Sequence, residues 1–99
     1  MALSIEFSRR STTQLRKILE FYDERNGNDV YSRRMLRCLL DELQLLSSIP
    51  TASSPSTSPN VRFFYLMGFT IIFRYNTRKL TVLSIRSSKR KPLRVYRKR

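Results

Sequence analysis

The chain has 99 residues, a formal net charge of +13, one cysteine and no histidine. This length suits a single small domain, and six Phe and five Tyr argue against a disordered chain. The lone cysteine excludes an internal disulfide, and the lack of histidine excludes imidazole-based catalytic triads and metal sites. The apolar runs are too short to cross a bilayer. We therefore expect a cytoplasmic protein with no metal, no cofactor and no membrane partner.

The positive charge is concentrated in the C-terminal part of the chain. Residues 61–99 contain twelve Lys and Arg and no Asp or Glu, whereas residues 1–60 contain eight basic and seven acidic side chains. Like charges repel each other in a compact state, so a stretch of this kind is expected to serve an anionic partner. The pattern predicts binding to nucleic acid, to an acidic protein, or to both in turn.

The first half of the chain predicts one strand followed by two helices. Residues 3–7 alternate apolar and polar side chains, which is typical of a strand. Ser8 or Ser11 can cap the helix that follows, and Gly27 suits a left-handed helix end. Asp29 can cap a second helix. The short connection between the helices predicts an antiparallel helical hairpin.

Residues 47–60 differ in composition from the rest, with six Ser, two Thr and three Pro. We expect a loop here, and its length exceeds that of an ordinary tight connection. Neither side of the loop could fold alone, so it is not expected to be a domain boundary. The prediction is one domain over residues 1–99, with this loop at 47–60 and a basic tail at 87–99.

Three further strands are predicted at residues 61–67, 69–75 and 79–86, joined by turns at Gly68 and at residues 76–78. Short turns between consecutive strands imply an antiparallel meander. The order is β-α-α-β-β-β, an α+β fold with the helical hairpin packed on one face of an antiparallel sheet. Alternate strand positions must cover the hairpin. The strand phenylalanines expected in the core are Phe63, Phe64, Phe69 and Phe73.

The order and spacing of these segments resemble the RelE/ParE superfamily of bacterial type II toxins. The resemblance rests on IEFSRR, then FYDERNGN and YSRRMLRCLLDELQLL, then VRF, GFTIIFRY and LTVLSIRSSKRKP. It implies a toxin that an acidic antitoxin from the same operon wraps and neutralises. RelE-like members of the family cleave mRNA in the ribosomal A site, whereas ParE-like members inhibit DNA gyrase.

The C-terminal residues are similar to the end of RelE-like toxins, where the pattern is Lys-Arg-x-x-x-x-Val-Tyr. Here the pattern starts at Lys89. The resemblance implies that Arg90 stabilises the scissile phosphate and that Tyr96 assists proton transfer. Lys89, as a neighbouring cation, can add to the charge stabilisation and is a further candidate catalytic residue. The resemblance also implies a basic residue near the site at Arg62. The residues expected to bind RNA around this site are Arg86, Lys91, Arg94 and Arg74.

Metal-free RNA cleavage requires deprotonation of the 2′-hydroxyl, stabilisation of charge on the phosphate, and protonation of the 5′-oxygen. An arginine suits the phosphate because its planar fork contacts two oxygens. Many relatives end the last strand with Trp-Asp-x-Arg or with a His, whereas this chain has RSSK at residues 86–89. The base is therefore Tyr96, a Lys with a depressed pKa, or the RNA itself with solvent.

Two other functions stay open from the sequence. A ParE-like gyrase inhibitor would bind its target without hydrolysis. A non-catalytic basic RNA-binding protein, or a degenerate toxin, would bind any RNA with a steep dependence on salt. The partners are therefore an acidic antitoxin with either the ribosome and mRNA or DNA gyrase.

Overall fold

A computed structural model describes residues 2–88, which form two helices and a five-stranded sheet. The helices are α1 (Arg9–Asn26) and α2 (Val30–Ser48). The strands are β1 (Ser4–Phe7), β2 (Ser54–Pro55), β3 (Val61–Leu66), β4 (Phe69–Tyr75) and β5 (Lys79–Ser87). Both helices pack on the sheet, so the predicted α+β fold class is confirmed.

The ends of α1 follow from local sequence. The side-chain oxygen of Ser8 accepts a hydrogen bond from the Ser11 N–H at 3.1 Å, which makes Ser8 the residue that caps the helix. At the other end, Gly27 adopts φ of 71° and donates its N–H to the Asp23 carbonyl at 2.9 Å. A residue with a side chain is strained in this left-handed conformation, whereas glycine is not.

The start of α2 differs from the expectation in one detail. The Asp29 side chain makes no capping hydrogen bond, and the side-chain oxygen of Asn28 instead accepts from the Val30 N–H at 3.1 Å. The helix continues to Ser48, two residues into the segment predicted as a loop. That segment also contains a 3₁₀ turn, Pro50–Ala52, and the short strand β2.

The sheet has the strand order β1-β5-β4-β3-β2. The pairs β3–β4 and β4–β5 are antiparallel, as the short turns predict. The pairing of the two edge strands is not visible in the local sequence. At one edge β1 pairs in parallel with β5, and at the other β2 pairs with β3 at Phe63 and Arg62. No tight turn joins β1 to another strand, because both helices intervene, so its direction is not tied to that of a hairpin.

The core lies between the helices and one face of the sheet. The strands contribute six buried side chains to it and α2 contributes three: Phe64, Ile71, Phe73, Leu80, Val82, Ile85, Leu39, Leu43 and Leu46. Phe64 and Phe73 are therefore core residues as expected, and Phe69 packs against the cluster. The expectation for Phe63 is wrong, because strand alternation turns it away from the face that its buried neighbour Phe64 occupies.

Side chains at the beginning of α1 form hydrogen bonds with backbone groups along the edge of β5. Because β1 ends at Phe7 while β5 continues to Ser87, the later part of β5 has no strand on that side. The Ser11 hydroxyl donates to the Val82 carbonyl at 2.9 Å, and the Gln14 side-chain oxygen accepts from the Ile85 N–H at 2.7 Å. Gln14 thus satisfies a backbone N–H that a strand would otherwise pair, and Ser11 gives the Val82 carbonyl a second donor beside the Ser8 N–H.

Candidate nucleic-acid interface

The face of the sheet opposite the helices is here called the open face. Its side chains are the ones best suited to bind a ligand. On the three central strands β3, β4 and β5, the residues that alternate with buried ones belong to this face, because successive side chains of a strand point to opposite sides. They share a direction away from the core and are Val61, Phe63, Tyr65, Thr70, Ile72, Arg74, Thr81, Ser84 and Arg86. The open face therefore combines aromatic rings, small hydroxyl side chains and two arginines.

The strand register arranges these residues in rows across the sheet. Tyr65 pairs with Thr70, and Thr70 pairs with Arg86, so the three form one row over β3, β4 and β5. Adjacent strands lie just under 5 Å apart, which places the backbones of Tyr65 and Arg86 about 10 Å from each other. The next row contains Phe63 and Ile72, so apolar surface adjoins the first row.

Tyr65 is the most exposed aromatic side chain described, with 64% of its surface accessible. Its ring meets that of Phe63 edge to face, with the ring centroids 5.6 Å apart. The contact holds the Tyr65 ring against a neighbour while leaving most of it open to solvent. An aromatic ring presented in this way can stack with the base of a nucleotide.

The open face is electrostatically suited to an anion. Arg74 and Arg86 are exposed, and neither forms an ion pair with any residue between 2 and 88. Glu6 is the acidic residue that shares this face, and it forms an ion pair with Lys79 at 3.3 Å. The other acidic residues lie in the helices or in the connection between them.

Arg74 and Arg86 occupy opposite ends of the open face. Arg74 lies in the row of Val61 and Thr81, four residues along β4 from Thr70. At the rise of a β-strand this separation is about 13 Å. The structure thus places both predicted RNA-binding arginines on one surface, in different rows of the sheet.

Arg62, a predicted catalytic residue, lies elsewhere. It pairs with Phe73 and follows the alternation of Phe64, which puts it on the helix-covered face. Its guanidinium donates to the hydroxyl and carbonyl of Ser53, at 3.1 and 2.6 Å, and to the Thr51 carbonyl at 3.3 Å. The structure does not bring Arg62 together with Arg74 and Arg86, and its observed contacts hold the segment around residues 51–53.

The remaining predicted site residues lie outside the described part of the chain, namely Lys89, Arg90, Lys91, Arg94 and Tyr96. The last described residue shows where the sheet leads into them. The Ser88 N–H donates to the Gly68 carbonyl at 3.0 Å, beside the start of β4. Ser88 therefore lies at the end of the sheet that carries the row of Tyr65, Thr70 and Arg86.

Sequence reasoning missed the aromatic pair on the open face. Phe63, Phe64 and Tyr65 are consecutive aromatic residues, so hydrophobicity alone does not show which of them face the helices. The pairing of Phe64 with the buried Ile71 settles the question. The outward position of Phe63 and Tyr65 follows from the register of β3 on β4 and not from the types of side chain in β3.

A second basic surface lies on α2, away from the sheet. Arg33, Arg34 and Arg37 line a shallow groove with Val30. Arg33 forms an exposed ion pair with Asp29 at 3.2 Å, as one turn of helix allows. This is the solvated polar face expected of an amphipathic helix, and it contains no aromatic side chain to pair with the arginines.

Residues 2–88 contain no cluster of three or more side chains suited to hold a metal ion. In the same range, no helix has the length and apolarity needed to cross a membrane.

No protein-family model and no curated protein matches the sequence. Among solved structures, the fold is similar to that of a chain from the chromosomal ParDE toxin–antitoxin (TA) system from P. aeruginosa, with a TM-score of 0.73 and 20% sequence identity. The match covers 89% of this chain and 98% of that chain. The fold implied by the resemblance to the RelE/ParE superfamily is thereby confirmed.

Proposed function

We propose that this chain is the toxin of a type II toxin–antitoxin pair and that an acidic antitoxin neutralises it. The observation that carries the proposal is the fold shared with a chain of a ParDE system over nearly the whole of both chains. The charge distribution supports it, since residues 61–99 hold twelve basic and no acidic side chains. An acidic protein that covered this part of the chain would relieve its self-repulsion.

For the activity, we place ribosome-dependent cleavage of mRNA first. Arg90 and Lys89 would stabilise the phosphate, and Tyr96 would assist proton transfer. Arg86, Arg74, Lys91 and Arg94 would hold the RNA. The position of Arg86 supports this assignment, because it is exposed at the end of the sheet from which the chain continues toward Lys89. The lack of histidine implies a slow enzyme that depends on the ribosome to orient its substrate. Such a target requires a cytoplasmic location.

Inhibition of DNA gyrase is the second candidate, and two observations favour it. The similar solved structure belongs to a ParDE system. In addition, the guanidinium of Arg62 is engaged with Thr51 and Ser53 on the covered side of the sheet, so one group proposed for phosphate chemistry has other contacts. A gyrase inhibitor needs a binding surface but no catalytic groups.

Growth arrest on induced expression, reversed by an acidic protein encoded beside the gene, is the expected result for a toxin. In a cell-free translation mixture, purified toxin should cut mRNA at sites occupied by ribosomes. Arg90→Ala and Tyr96→Ala should abolish cutting, while Arg37→Ala on α2 should leave it intact. If both site variants stay fully active, the assignment of Arg90 and Tyr96 is wrong.

A supercoiling assay separates the two targets. Inhibition of gyrase by the same preparation, with mRNA left intact, would establish the second candidate and exclude the first. A protein that arrests no growth, binds no antitoxin and binds every RNA tested would contradict the toxin assignment itself. That result would identify a non-catalytic RNA-binding protein instead.

A further inference from the structure

We propose that Tyr65 and Arg86 form the two sides of a binding site for one nucleotide of single-stranded RNA, with the Tyr65 ring stacking on the base. The site deepens the proposed function, since it rests on RNA being the ligand of the open face. Tyr65 is then a residue that positions the RNA strand, and Arg86 contacts the adjoining phosphate.

The row across the sheet supplies the spacing. Tyr65 and Arg86 flank Thr70, whose side chain is shorter than either of theirs. The two backbones are about 10 Å apart, and both side chains are long enough to reach over Thr70. A base stacked on the ring would thus leave its phosphate within reach of the guanidinium.

The exposure of the ring argues for a stacking partner. Single exposed apolar groups are common on protein surfaces and need no explanation. Tyr65 differs because Phe63 supports its ring from one side, and because the same face carries two arginines without ion pairs to residues 2–88. Rings beside cations, on a surface almost free of acids, are the features by which proteins bind unpaired nucleotides.

The chemistry favours a single strand over a duplex. In a double helix the bases are stacked on each other, and their faces are not available to a side chain. The acidic side chains of a polypeptide could pair with Arg74 and Arg86, but they offer no flat aromatic face to stack on the Tyr65 ring, whereas every nucleotide base does. We therefore commit to single-stranded RNA as the occupant of this site.

The chain offers a matched control for Tyr65. Phe21 on α1 is 54% exposed and meets the ring of Tyr22 edge to face, with centroids 5.1 Å apart. It thus has similar exposure and a similar ring contact, and it also has cations one helical turn away at Lys17 and Arg25, but it lies in α1 and not on the open face. If RNA bound to any exposed aromatic side chain, the two rings would contribute equally.

The test is fluorescence anisotropy with full-length protein, made in a cell-free system, and a labelled twelve-nucleotide single-stranded RNA of mixed sequence. Tyr65→Ala should weaken binding by about 5- to 150-fold, the range found for loss of one stacked base. Tyr65→Phe should keep the affinity because it keeps the ring. Phe21→Ala should bind like the original protein.

The salt dependence of RNA binding tests whether Arg86 contacts a phosphate. Arg86→Ala should reduce the slope of log affinity against log salt by about 0.7, the value for one phosphate contact on a single strand. Tyr65→Ala should leave that slope unchanged, because stacking releases no counterion. Arg37→Ala on α2 should also leave it unchanged. Circular dichroism of each variant checks that the fold is retained.

The proposal is overturned if Tyr65→Ala binds RNA like the original protein, or if Phe21→Ala loses as much affinity. It is also overturned if Tyr65→Ala loses affinity for purified gyrase or for the acidic antitoxin while RNA binding stays the same. The assay contains no ribosome, gyrase or antitoxin. If the chain proves not to be a toxin, RNA binding that depends on Tyr65 can still be measured in this assay. If Tyr65 proves not to bind RNA, the growth-arrest assay still tests the toxin assignment.

Discussion

The two faces of the sheet are built by alternate residues of the same strands, yet their compositions have little in common. One face presents Phe64, Ile71 and Phe73 to the helices, and all three are buried. The other presents Tyr65, Thr70 and Arg74 to solvent or leaves them partly exposed. Stability and binding are thus separated by one step along a strand. Substitutions on the covered face should change the free energy of unfolding, and those on the open face should change affinity.

The largest expected effect is on the covered face. Phe73→Ala removes a fully buried ring at the centre of the core and should lower the free energy of unfolding by about 3–5 kcal/mol. Ile72→Ala, one residue away on the open face, should cost about 1 kcal/mol, because the partly exposed side chain leaves no cavity and its loss is that of a strand-favouring residue. Urea unfolding followed by circular dichroism measures both values. Equal losses from the two variants would contradict the separation of the faces.

A smaller effect is expected where α1 meets β5. Ser11→Ala removes a buried hydroxyl that donates to the Val82 carbonyl at 2.9 Å. The carbonyl retains the Ser8 N–H, also at 2.9 Å, so we expect a loss of about 1–2 kcal/mol rather than more. Thr12→Ala, at an exposed position next along the helix, should change the unfolding midpoint very little. A neutral Ser11→Ala would show that the edge of β5 needs no such donor.

Arg62 tests whether a basic residue on the covered face serves structure or chemistry. Arg62→Ala removes three hydrogen bonds to Thr51 and Ser53 and should cost about 1 kcal/mol. Faster amide hydrogen exchange and faster protease cleavage around residues 51–55 should accompany this loss. Arg78→Ala in the exposed turn is the control. A variant that loses mRNA cleavage with unchanged exchange would restore Arg62 to the catalytic set.

The smallest effects on stability belong to the open face. Arg86→Ala should change the free energy of unfolding by no more than about 0.5 kcal/mol, as is usual for exposed positions. Tyr65→Ala should cost about 1 kcal/mol, because it also loses the ring contact with Phe63. The same two variants are expected to show the clearest losses of RNA affinity. Large destabilisation by either would mean that the open face also supports the fold.

The parts of the fold that could be predicted are those encoded by neighbouring residues. The start of α1, predicted at Ser8 or Ser11 and observed at Ser8, and its left-handed end at Gly27 are set within a few residues of sequence. The three antiparallel strands also emerge from alternation and from the turns at Gly68 and residues 76–78. Alternation of apolar and polar residues has the two-residue period of a strand, so it can be recognised from the sequence alone.

What could not be predicted depends on contacts between distant segments. The parallel pairing of β1 with β5 leaves no local trace, since its partners are about 75 residues apart. The contacts of Arg62 with Thr51 and Ser53 depend on how the segment after α2 folds back on β3. For the site, Arg74 and Arg86 could be named as RNA-binding candidates, but their position on one surface and the outward position of Phe63 required the strand register.

The parallel pairing of β1 with β5 also has a consequence for the order of events during synthesis. Folding during translation proceeds from the N-terminus, yet the partners of Ser4 to Phe7 are Lys79 to Val82, near the other end of the chain. Until those residues have left the ribosome, β1 lacks its neighbour and α1 lacks the carbonyl that Ser11 binds. The domain is therefore expected to close only after β5 has left the ribosome. The open face, which needs all three central strands, stays incomplete while the segment that pairs with β1 is still being made.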